Sequence, residues 1–259
     1  MSPPGTRVGT EALRAERIVK TFGHVTALDG VSMHVGYGEM LGILGDNGAG
    51  KSTLMKILTG FHQPTAGQVF VNGAPVRLAS VDQARALGIE CVYQDLALVN
   101  GLSIYHNLFL NREMMRPWPF RLLDHRAMRR RAEEALADIG VHIPSVDLEV
   151  GALSGGQRQA IAVARAVASN ARILLLDEPL AAMGAREAGL IIGLIERLRA
   201  RGDIAIVMIA HNYAQTLEIC DRVMLMQHGE VTYESRAADT SAVELLDIVR
   251  REYRAARAG

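Results

Sequence analysis

The sequence predicts an α/β protein in which a parallel sheet is buried between helices. Continuous apolar runs at 173–176 and 206–210 suit strands that are covered on both faces, as in such a sheet. The segment KSTLMKILTG at 51–60 places apolar residues at helical spacing and stops at Gly60, so helices are expected between the strands. At 259 residues and 49% hydrophobic content, the chain is long enough for one large domain with a substantial core.

Further short apolar segments extend this pattern along the chain. Residues 1–14 carry Pro, Gly and Thr and are predicted to form a flexible tail. Strands are predicted twice within 31–44 and then at 68–73, 88–93, 171–177, 204–210 and 222–227. Between 95 and 170 no convincing strand occurs, which predicts a helical lobe inserted into the α/β core. The final residues, SAVELLDIVRREYRAARAG, predict a terminal amphipathic helix.

Composition excludes several classes of function. Lys+Arg and Asp+Glu both number 28, and aromatic residues make up only 5%. Such a chain has no general attraction to nucleic acid phosphates and few surfaces for base stacking, so no nucleic acid partner is expected. Cys91 and Cys220 lie in apolar stretches and are expected to be buried thiols. A signal peptide core and an apolar run of the roughly 20 residues needed for a membrane helix are both missing, so a cytoplasmic location is expected.

The loop GDNGAGKST at 45–53 matches the pattern G-x-x-x-x-G-K-[ST]. Glycines let backbone N–H groups face inward, and the helix that starts near Lys51 adds its positive end. Lys51 is expected to reach the β- and γ-phosphates, and the Ser52 hydroxyl is expected to ligate Mg²⁺. The residues predicted to bind a nucleoside triphosphate are Gly45, Asp46, Asn47, Gly48, Ala49, Gly50, Lys51, Ser52 and Thr53.

The segment ILLLDE at 173–178 predicts a buried strand that ends in two carboxylates. Ligands of open α/β sheets bind at the carboxyl ends of strands, so this is the expected place for acidic partners of the phosphate loop. Asp177 is expected to hold Mg²⁺ through water, and Glu178 is expected to polarise a hydrolytic water. The alternative is a plain strand that ends in an acidic turn.

A second anion-binding loop is predicted at LSGGQ, residues 153–157. Ser154 offers a hydroxyl, Gly155 and Gly156 expose backbone N–H groups, and a helix begins there. The alternative is a helix cap in which Ser154 bonds locally, and both interpretations can hold together.

These motifs, in this order, resemble the ATP-binding cassette (ABC) ATPases. The resemblance runs from about residue 15 to 235, and Ser154 precedes Asp177 by 23 residues, which is similar to the family spacing. It implies a P-loop core with an antiparallel β subdomain and an inserted helical subdomain. The implied divisions are a single domain at 15–236, with its core at 15–94 and 165–236, a helical subdomain at about 95–164, and a helical tail at 237–259.

The resemblance also implies an ATP site shared by two copies of the chain. Ser154, Gly155, Gly156 and Gln157 would cap the ATP held by the partner, so that two cassettes enclose two nucleotides. Gln94 would ligate Mg²⁺, and His211 would contact the γ-phosphate. Taken alone, Gln94 is expected to be solvated and His211 to be structural. Phe22, 29 residues before Lys51, is expected to stack on adenine, although a core phenylalanine is the commoner arrangement.

The segment QDLALVNGLSIYHNLFL at 94–110 resembles the region where transporter cassettes meet the permease. EPLAAMGARE and the stretch after His211 look most like bacterial sugar importers of the ribose, xylose and fructose type. Leu180 and Gly184 depart from the commoner cassette residues, Thr or Ser and Asp respectively. Gly184 is familiar in the sugar-importer branch, whereas Leu180 either weakens coupling between the two sites or simply packs.

An arginine-rich segment lies at 112–131. Its arginines are Arg112, Arg116, Arg121, Arg126, Arg129, Arg130 and Arg131. A solvated helical face is expected, with contact to permease loops or anionic lipid as the alternative. Trp118, between two prolines, is a candidate anchor for a partner.

The combined prediction is an ATPase subunit that drives import of a small solute, a monosaccharide by resemblance. Its catalytic residues would be Glu178, His211 and Lys51, with ATP and Mg²⁺ as ligands. Its partners would be a second copy, membrane permease subunits and, indirectly, a solute-binding protein, which places the chain on the inner face of the cell membrane. The alternatives are an exporter, a soluble cassette ATPase acting on nucleic acid or ribosomes, and a non-hydrolysing ATP sensor.

Overall fold

Two sheets and a helical lobe make up the computed structural model, which describes residues 9–116, 122–181 and 183–258. The strands are β1 Glu11–Phe22, β2 Val25–Gly36, β3 Met40–Leu44, β4 Ala66–Val71, β5 Ala74–Val76, β6 Ile89–Val92, β7 Ile173–Asp177, β8 Ala205–Ile209, β9 Arg222–Gln227 and β10 Glu230–Arg236. The α-helices are α1 Lys51–Leu58, α2 Val81–Ala86, α3 Ile104–Phe109, α4 His125–Asp138, α5 Gly155–Ala168, α6 Ala185–Ala200, α7 Tyr213–Ile219 and α8 Ala242–Ala258.

The central sheet has the strand order β10-β9-β3-β8-β7-β6, and all its strands except β10 run parallel. Every residue of β3 and β8 is buried, because helices cover one face of these strands, while α1 and the strands of a second sheet cover the other. The continuous apolar runs therefore predicted this sheet correctly. Asp177 pairs with Ile209, and Ile209 pairs with Ile43, so the carboxyl ends of β7, β8 and β3 meet at one edge.

The second sheet is antiparallel, with the order β2-β1-β4-β5, as the family resemblance implied. Its first strand corrects the predicted tail at 1–14, because β1 already begins at Glu11, and Ala12 and Leu13 are fully buried. All the apolar residues of EALRAERI are buried, and their irregular spacing matches shifts of register in the pairing of β1 with β2. Residues 1–8 lie outside the described residues.

Helices α3, α4 and α5 form the lobe that the strand-free stretch predicted. On α4, Met128, Ala132 and Leu136 recur every four residues, so they form one buried stripe that packs into the same core cluster as α5. Helix α5 continues to Ala168, four residues beyond the predicted end of the helical subdomain, and runs under the central sheet. The subdomain divisions themselves stay predictions.

The C-terminal part adds an edge strand and a helix. Strand β10 pairs with β9 and alternates exposed with partly buried residues. The terminal helix is confirmed as α8, whose Leu245 and Val249 are buried against the first core cluster. Within the described residues, no helix is both long and apolar enough to cross a membrane.

Candidate functional site

The phosphate loop joins β3 to α1 at the carboxyl edge of the central sheet, as predicted. Its backbone is pressed against the turn that follows β9: Ala49 O accepts a hydrogen bond from Gly229 N at 3.1 Å. Gly45 has φ +142°, and a Cβ there would lie 2.1 Å from Met226 O. Only glycine therefore allows the loop to pass this close to β9. Asp46, Asn47 and Gly48 remain exposed to solvent.

Lys51 is the first residue of α1, and its side chain folds back into the phosphate loop. Nζ donates to Gly45 O at 2.6 Å and to Asp46 O at 2.8 Å, and the residue is 5% exposed. Burial lowers the pKa of Lys51, while the charges of Glu178, Asp46 and Asp177 oppose that shift. The charges of these three carboxylates therefore favour the ammonium form of Lys51 despite its burial.

Glu178 and His211 lie together at the same edge of the sheet. Glu178 follows β7 with φ +50° and donates its backbone N–H to Ile209 O at 3.0 Å. His211 Nε2 and Glu178 Oε1 are 2.5 Å apart. Both side chains remain partly accessible, at 40% for His211 and 22% for Glu178. The ordered motif sequence thus predicted two residues that the structure brings into contact.

Asp177 ends β7 beside this pair. Burial raises the pKa of Asp177, the adjacent Glu178 raises it further, and Lys51, His211 and Lys56 oppose the shift. The carboxylate is therefore held where a cation would stabilise its charged form.

Gln94 follows β6 and is exposed. The loop after it is held by Arg165 of α5, whose guanidinium donates to Leu96 O at 2.8 Å and to Ala97 O at 2.7 Å. Burial lowers the pKa of Arg165. Sequence reasoning missed this residue, because an arginine in a helix gives no signal of a contact with a loop 69 positions away.

The LSGGQ segment begins α5 with a complete capping box. Ser154 Oγ accepts from Gln157 N at 3.3 Å, and Gln157 Oε1 accepts from Ser154 N at 3.0 Å. The cap predicted as one interpretation is therefore present. Gly156 N also donates to Glu187 Oε1 of α6 at 3.3 Å, a contact that the sequence analysis did not anticipate.

Phe22 ends β1 and is 44% exposed, so it is not a core residue. Its ring lies 5.3 Å from that of His62, and Lys20 Nζ lies 4.9 Å from its centroid. An exposed aromatic face of this kind is available to stack on a planar ligand.

The two departures from the commoner cassette residues behave differently. Leu180 is partly buried and packs against the core, which is the simpler of its two interpretations. Gly184 is the exposed N-cap of α6, where no side chain caps the helix.

Several arginines of the 112–131 segment have carboxylate partners within the chain. Arg112 pairs with Glu90 at 2.6 Å, and Arg129 pairs with Asp147 at 2.7 Å. Arg130 and Arg131 approach Glu134 at 3.9 and 4.0 Å. Arg116 and Arg126 are exposed. Arg121 and Trp118 lie outside the described residues.

The residues around the phosphate loop fit a magnesium nucleotide. The first N–H groups of α1 have no acceptor within the helix, so the loop presents donors to an anion. The Ser52 hydroxyl lies exposed at the start of α1. The pKa of the Asp177 carboxyl is raised by burial, and the positive charge of Lys51 opposes this shift. Among the described residues, no cluster of three or more His, Cys, Asp or Glu side chains could hold a metal ion. A magnesium ion here would need substrate oxygens and waters as further ligands.

Comparison with known proteins agrees with this geometry. A family model described as "ABC transporter" matches residues 28–181. The chain is 40% identical to the xylose/arabinose import ATP-binding protein XylG of Sulfolobus acidocaldarius, covering 93% of this chain and 94% of that one. It is 42% identical to the fructose import ATP-binding protein FrcA of Rhizobium meliloti, with 84% and 85% covered. It also matches the ribose import ATP-binding protein RbsA of Chromobacterium violaceum at 40% identity, but spans only 45% of that protein.

Solved structures give the same result. A nucleotide-free ATP-binding cassette from an ABC transporter superposes with a TM-score of 0.78 at 27% identity, covering 93% of this chain and 95% of that one. A dimeric cassette in a post-hydrolysis state, bound to ADP and Pi, superposes with a TM-score of 0.72 at 25% identity, covering 87% and 98%. With its phosphate loop, its Asp-Glu strand and its capped LSGGQ helix in this arrangement, the chain belongs to the ABC transporter family of ATP-binding cassettes.

Proposed function

We propose that this chain is the ATP-hydrolysing subunit of an importer, and that the imported solute is a monosaccharide. The observation that carries the proposal is the convergence of Lys51, Asp177, Glu178 and His211 at one edge of the sheet. A donor-rich loop, a metal-binding carboxylate and a positioned base are what phosphoryl transfer to water requires.

The phosphate loop, Gly45 to Thr53, binds the triphosphate through its backbone N–H groups. The Lys51 ammonium donates to Gly45 O and Asp46 O, and it exchanges these acceptors for oxygens of the bound phosphates. Its positive charge then stabilises the γ-phosphate. Phe22 stacks on the adenine ring. Ser52, Gln94 and Asp177, the last through water, would hold Mg²⁺, which as a Lewis acid would neutralise charge on the phosphate oxygens.

Glu178 acts as the general base toward the attacking water. Its carboxylate is partly accessible, and its bond to His211 restricts its orientation. His211 can break its hydrogen bond to Glu178 and donate to the γ-phosphate instead. The position of the imidazole then depends on whether the γ-phosphate is bound.

A second copy of the chain completes each site. The phosphate loop contacts Gly229 in the turn after β9, whereas the start of α5 contacts Glu187 on α6. Two anion-binding helix starts in one chain serve one nucleotide when two chains pair head to tail, with Ser154, Gly155, Gly156 and Gln157 facing the partner's ATP. The dimeric cassette with ADP and Pi supports such pairing.

The transport role follows from the relatives. Proteins that are 40–42% identical over most of this chain are named as xylose/arabinose and fructose import ATP-binding proteins. By the same relation, the partners are membrane permease subunits and, through them, a solute-binding protein. The chain then works on the inner face of the cell membrane and needs no nucleic acid.

Replacement of Glu178 by Gln tests the hydrolytic role. The amide keeps the size of the side chain but cannot accept a proton, so turnover should fall about 10²–10⁴-fold. The variant should still bind ATP and form a dimer in size-exclusion chromatography with light scattering. Glu196→Gln is the matched control, because Glu196 is an exposed carboxylate on α6. Near-normal phosphate release by Glu178→Gln would refute the assignment of the base, and no phosphate release by the unaltered chain would favour an ATP sensor.

Affinity purification from the chain's own solubilised membranes tests the transport role. Recovery of a multi-span permease together with a solute-binding protein is the expected result, and that binding protein can then be screened against sugars. Recovery of ribosomal or DNA-bound proteins without a permease would contradict the proposal and favour a soluble cassette ATPase. Recovery of a permease that lacks a solute-binding protein would favour export.

A further inference from the structure

Glu187 connects the LSGGQ helix to α6. It is the third residue of α6, and its Oε1 accepts the backbone N–H of Gly156 at 3.3 Å. Gly156 is also the second residue of α5, so this N–H belongs to the group of donors that have no acceptor inside the helix. A carboxylate of the same chain thus lies on the anion-binding start of α5.

The close approach depends on glycine. A Cβ built on Gly156 would lie 2.9 Å from Cβ of Glu187, closer than side chains tolerate. A Cβ on Gly155 would lie 3.9 Å from both carboxylate oxygens of Glu187, which shows how near the carboxylate is to both glycines. The two glycines of LSGGQ therefore leave room for an anion, and in this structure Glu187 takes part of that room.

The groups around the Glu187 carboxylate shift its pKa. The Gly156 N–H lowers the pKa of Glu187 most, and the Ser154 hydroxyl, the Gly184 N–H and the charge of Arg158 lower it further. Glu187 is therefore negatively charged at neutral pH and associated with two of the groups that face the partner's ATP in the proposed dimer.

We propose that Glu187 is a positioning residue that occupies the Gly156 N–H in the separated cassette and is displaced by the γ-phosphate of the partner's ATP. This inference rests on the proposed function, because it assumes that the start of α5 closes on a nucleotide held by a second copy. Two anions cannot share the same donors, so the carboxylate must turn away when the phosphate arrives.

The displaced carboxylate has a second position available. Gly184 is the N-cap of α6 and provides no side-chain cap, and its backbone N–H is near enough to lower the pKa of Glu187 slightly. Movement onto this N–H would form the return half of a capping box at the start of α6. Since residues 178–184 join the general base to α6, phosphate binding at the LSGGQ helix would be transmitted to Glu178 of the same chain.

Displacement makes dimer formation depend on the γ-phosphate. Without ATP, Glu187 satisfies the donors, so the start of α5 has little attraction for other anions. With ATP, the higher charge of the γ-phosphate competes successfully. Removal of the carboxylate should therefore favour the ATP-bound dimer.

The experiment measures the ATP concentration that gives half-maximal dimer formation in the Glu178→Gln background, where ATP is not consumed. Addition of Glu187→Ala should lower this concentration about fivefold or more, which is a typical coupling between two sites. Glu187→Gln, which keeps the shape but loses the charge, should lower it less. Glu196→Gln, in the same helix, should leave it unchanged.

Steady-state kinetics separate displacement from a purely structural role. In the otherwise unaltered chain, Glu187→Ala should lower KM for ATP without raising kcat, whereas a damaged fold would raise KM. Thermal unfolding without nucleotide identifies damage, and Glu187→Gln provides the folded variant if Glu187→Ala unfolds.

Two outcomes overturn the inference while the proposed function stands. These are an unchanged or a higher half-maximal ATP concentration in both Glu187 variants, with normal ATP-dependent dimerisation of Glu178→Gln. Failure of Glu178→Gln alone to dimerise with ATP overturns the proposed pairing itself, and the inference with it.

Discussion

Substitution of Gly45 by Ala should destabilise the phosphate loop, whereas Gly48→Ala, three residues later, should be much milder. Both glycines have positive φ, at +142° and +84°. They differ in their surroundings: a Cβ on Gly45 would lie 2.1 Å from Met226 O and 3.3 Å from the Cβ of Ala49, while one on Gly48 would meet no heavy atom within 4 Å. The pair therefore separates steric overlap from backbone strain.

The expected magnitudes follow from these two contributions. Backbone strain at the Gly45 conformation amounts to about 1–3 kcal/mol for a residue with a Cβ. Steric overlap with a fixed carbonyl adds typically about 1–3 kcal/mol. Gly48→Ala carries only the left-handed backbone term of about 1–2 kcal/mol. For chains of 150–250 residues, each kcal/mol of lost stability lowers Tm by about 2–4 °C. With this conversion, Gly45→Ala should lower Tm by several degrees more than Gly48→Ala.

The assay is thermal unfolding of the two variants without nucleotide, followed by the rise in Tm that MgATP produces. Relief of the overlap must move Gly45 away from β9, and its carbonyl is one of the two acceptors of Lys51 Nζ. Gly45→Ala should therefore also lose most of the ATP-dependent rise. Equal Tm values for Gly45→Ala and Gly48→Ala would refute the reasoning, because the steric contact would then have no energetic effect.

Two further predictions concern titratable groups. Burial raises the pKa of Asp177 in the folded chain, so folding takes up protons and stability falls as pH rises through the window between the ordinary and the raised value. Asp177→Asn should therefore have a higher Tm than the unaltered chain at pH 7 without nucleotide, with the gain shrinking toward the acid side of that window; an equal or lower Tm at pH 7 would contradict this. Burial also raises the pKa of Cys91 and of Cys220 to about 12, so iodoacetamide at pH 8 should alkylate both thiols slowly in the native chain and rapidly in guanidinium, as followed by mass spectrometry. Fast alkylation of the folded chain would show that these thiols are not protected.

Strand predictions succeeded where both faces of a strand are buried. Strands β7 and β8 were predicted from continuous apolar runs and β3 from a short apolar segment, because both faces of each strand are buried. Strand β1 was partly assigned to the tail because its apolar residues are irregularly spaced, and β10 was not predicted because it alternates exposed with partly buried residues at an edge. Their pairing partners, rather than their composition, make them strands.

Helix starts were predictable because their hydrogen bonds are local. The capping box of α5 joins residues three apart, so Ser154 and Gln157 already specify it in the sequence. The phosphate loop is equally local, since its glycines, Lys51 and Ser52 lie within nine residues between a strand and a helix. The assignment of Phe22 as an exposed ring, by contrast, needed the structure, because composition favours a core position for phenylalanine.

The sequence alone determined the local structure of each motif: a glycine-rich loop between a strand and a helix at 45–53, carboxylates at the end of β7, and a helix capped by Ser154 and Gln157. Backbone geometry imposes these features over a few residues, so they can be read from spacing. Only the tertiary structure decided which of them meet. The bond between His211 and Glu178 spans 33 positions, that between Gly156 and Glu187 spans 31, and that between Arg165 and Leu96 spans 69. Such contacts depend on which strands lie side by side and on how the lobe packs, and no local spacing encodes those arrangements.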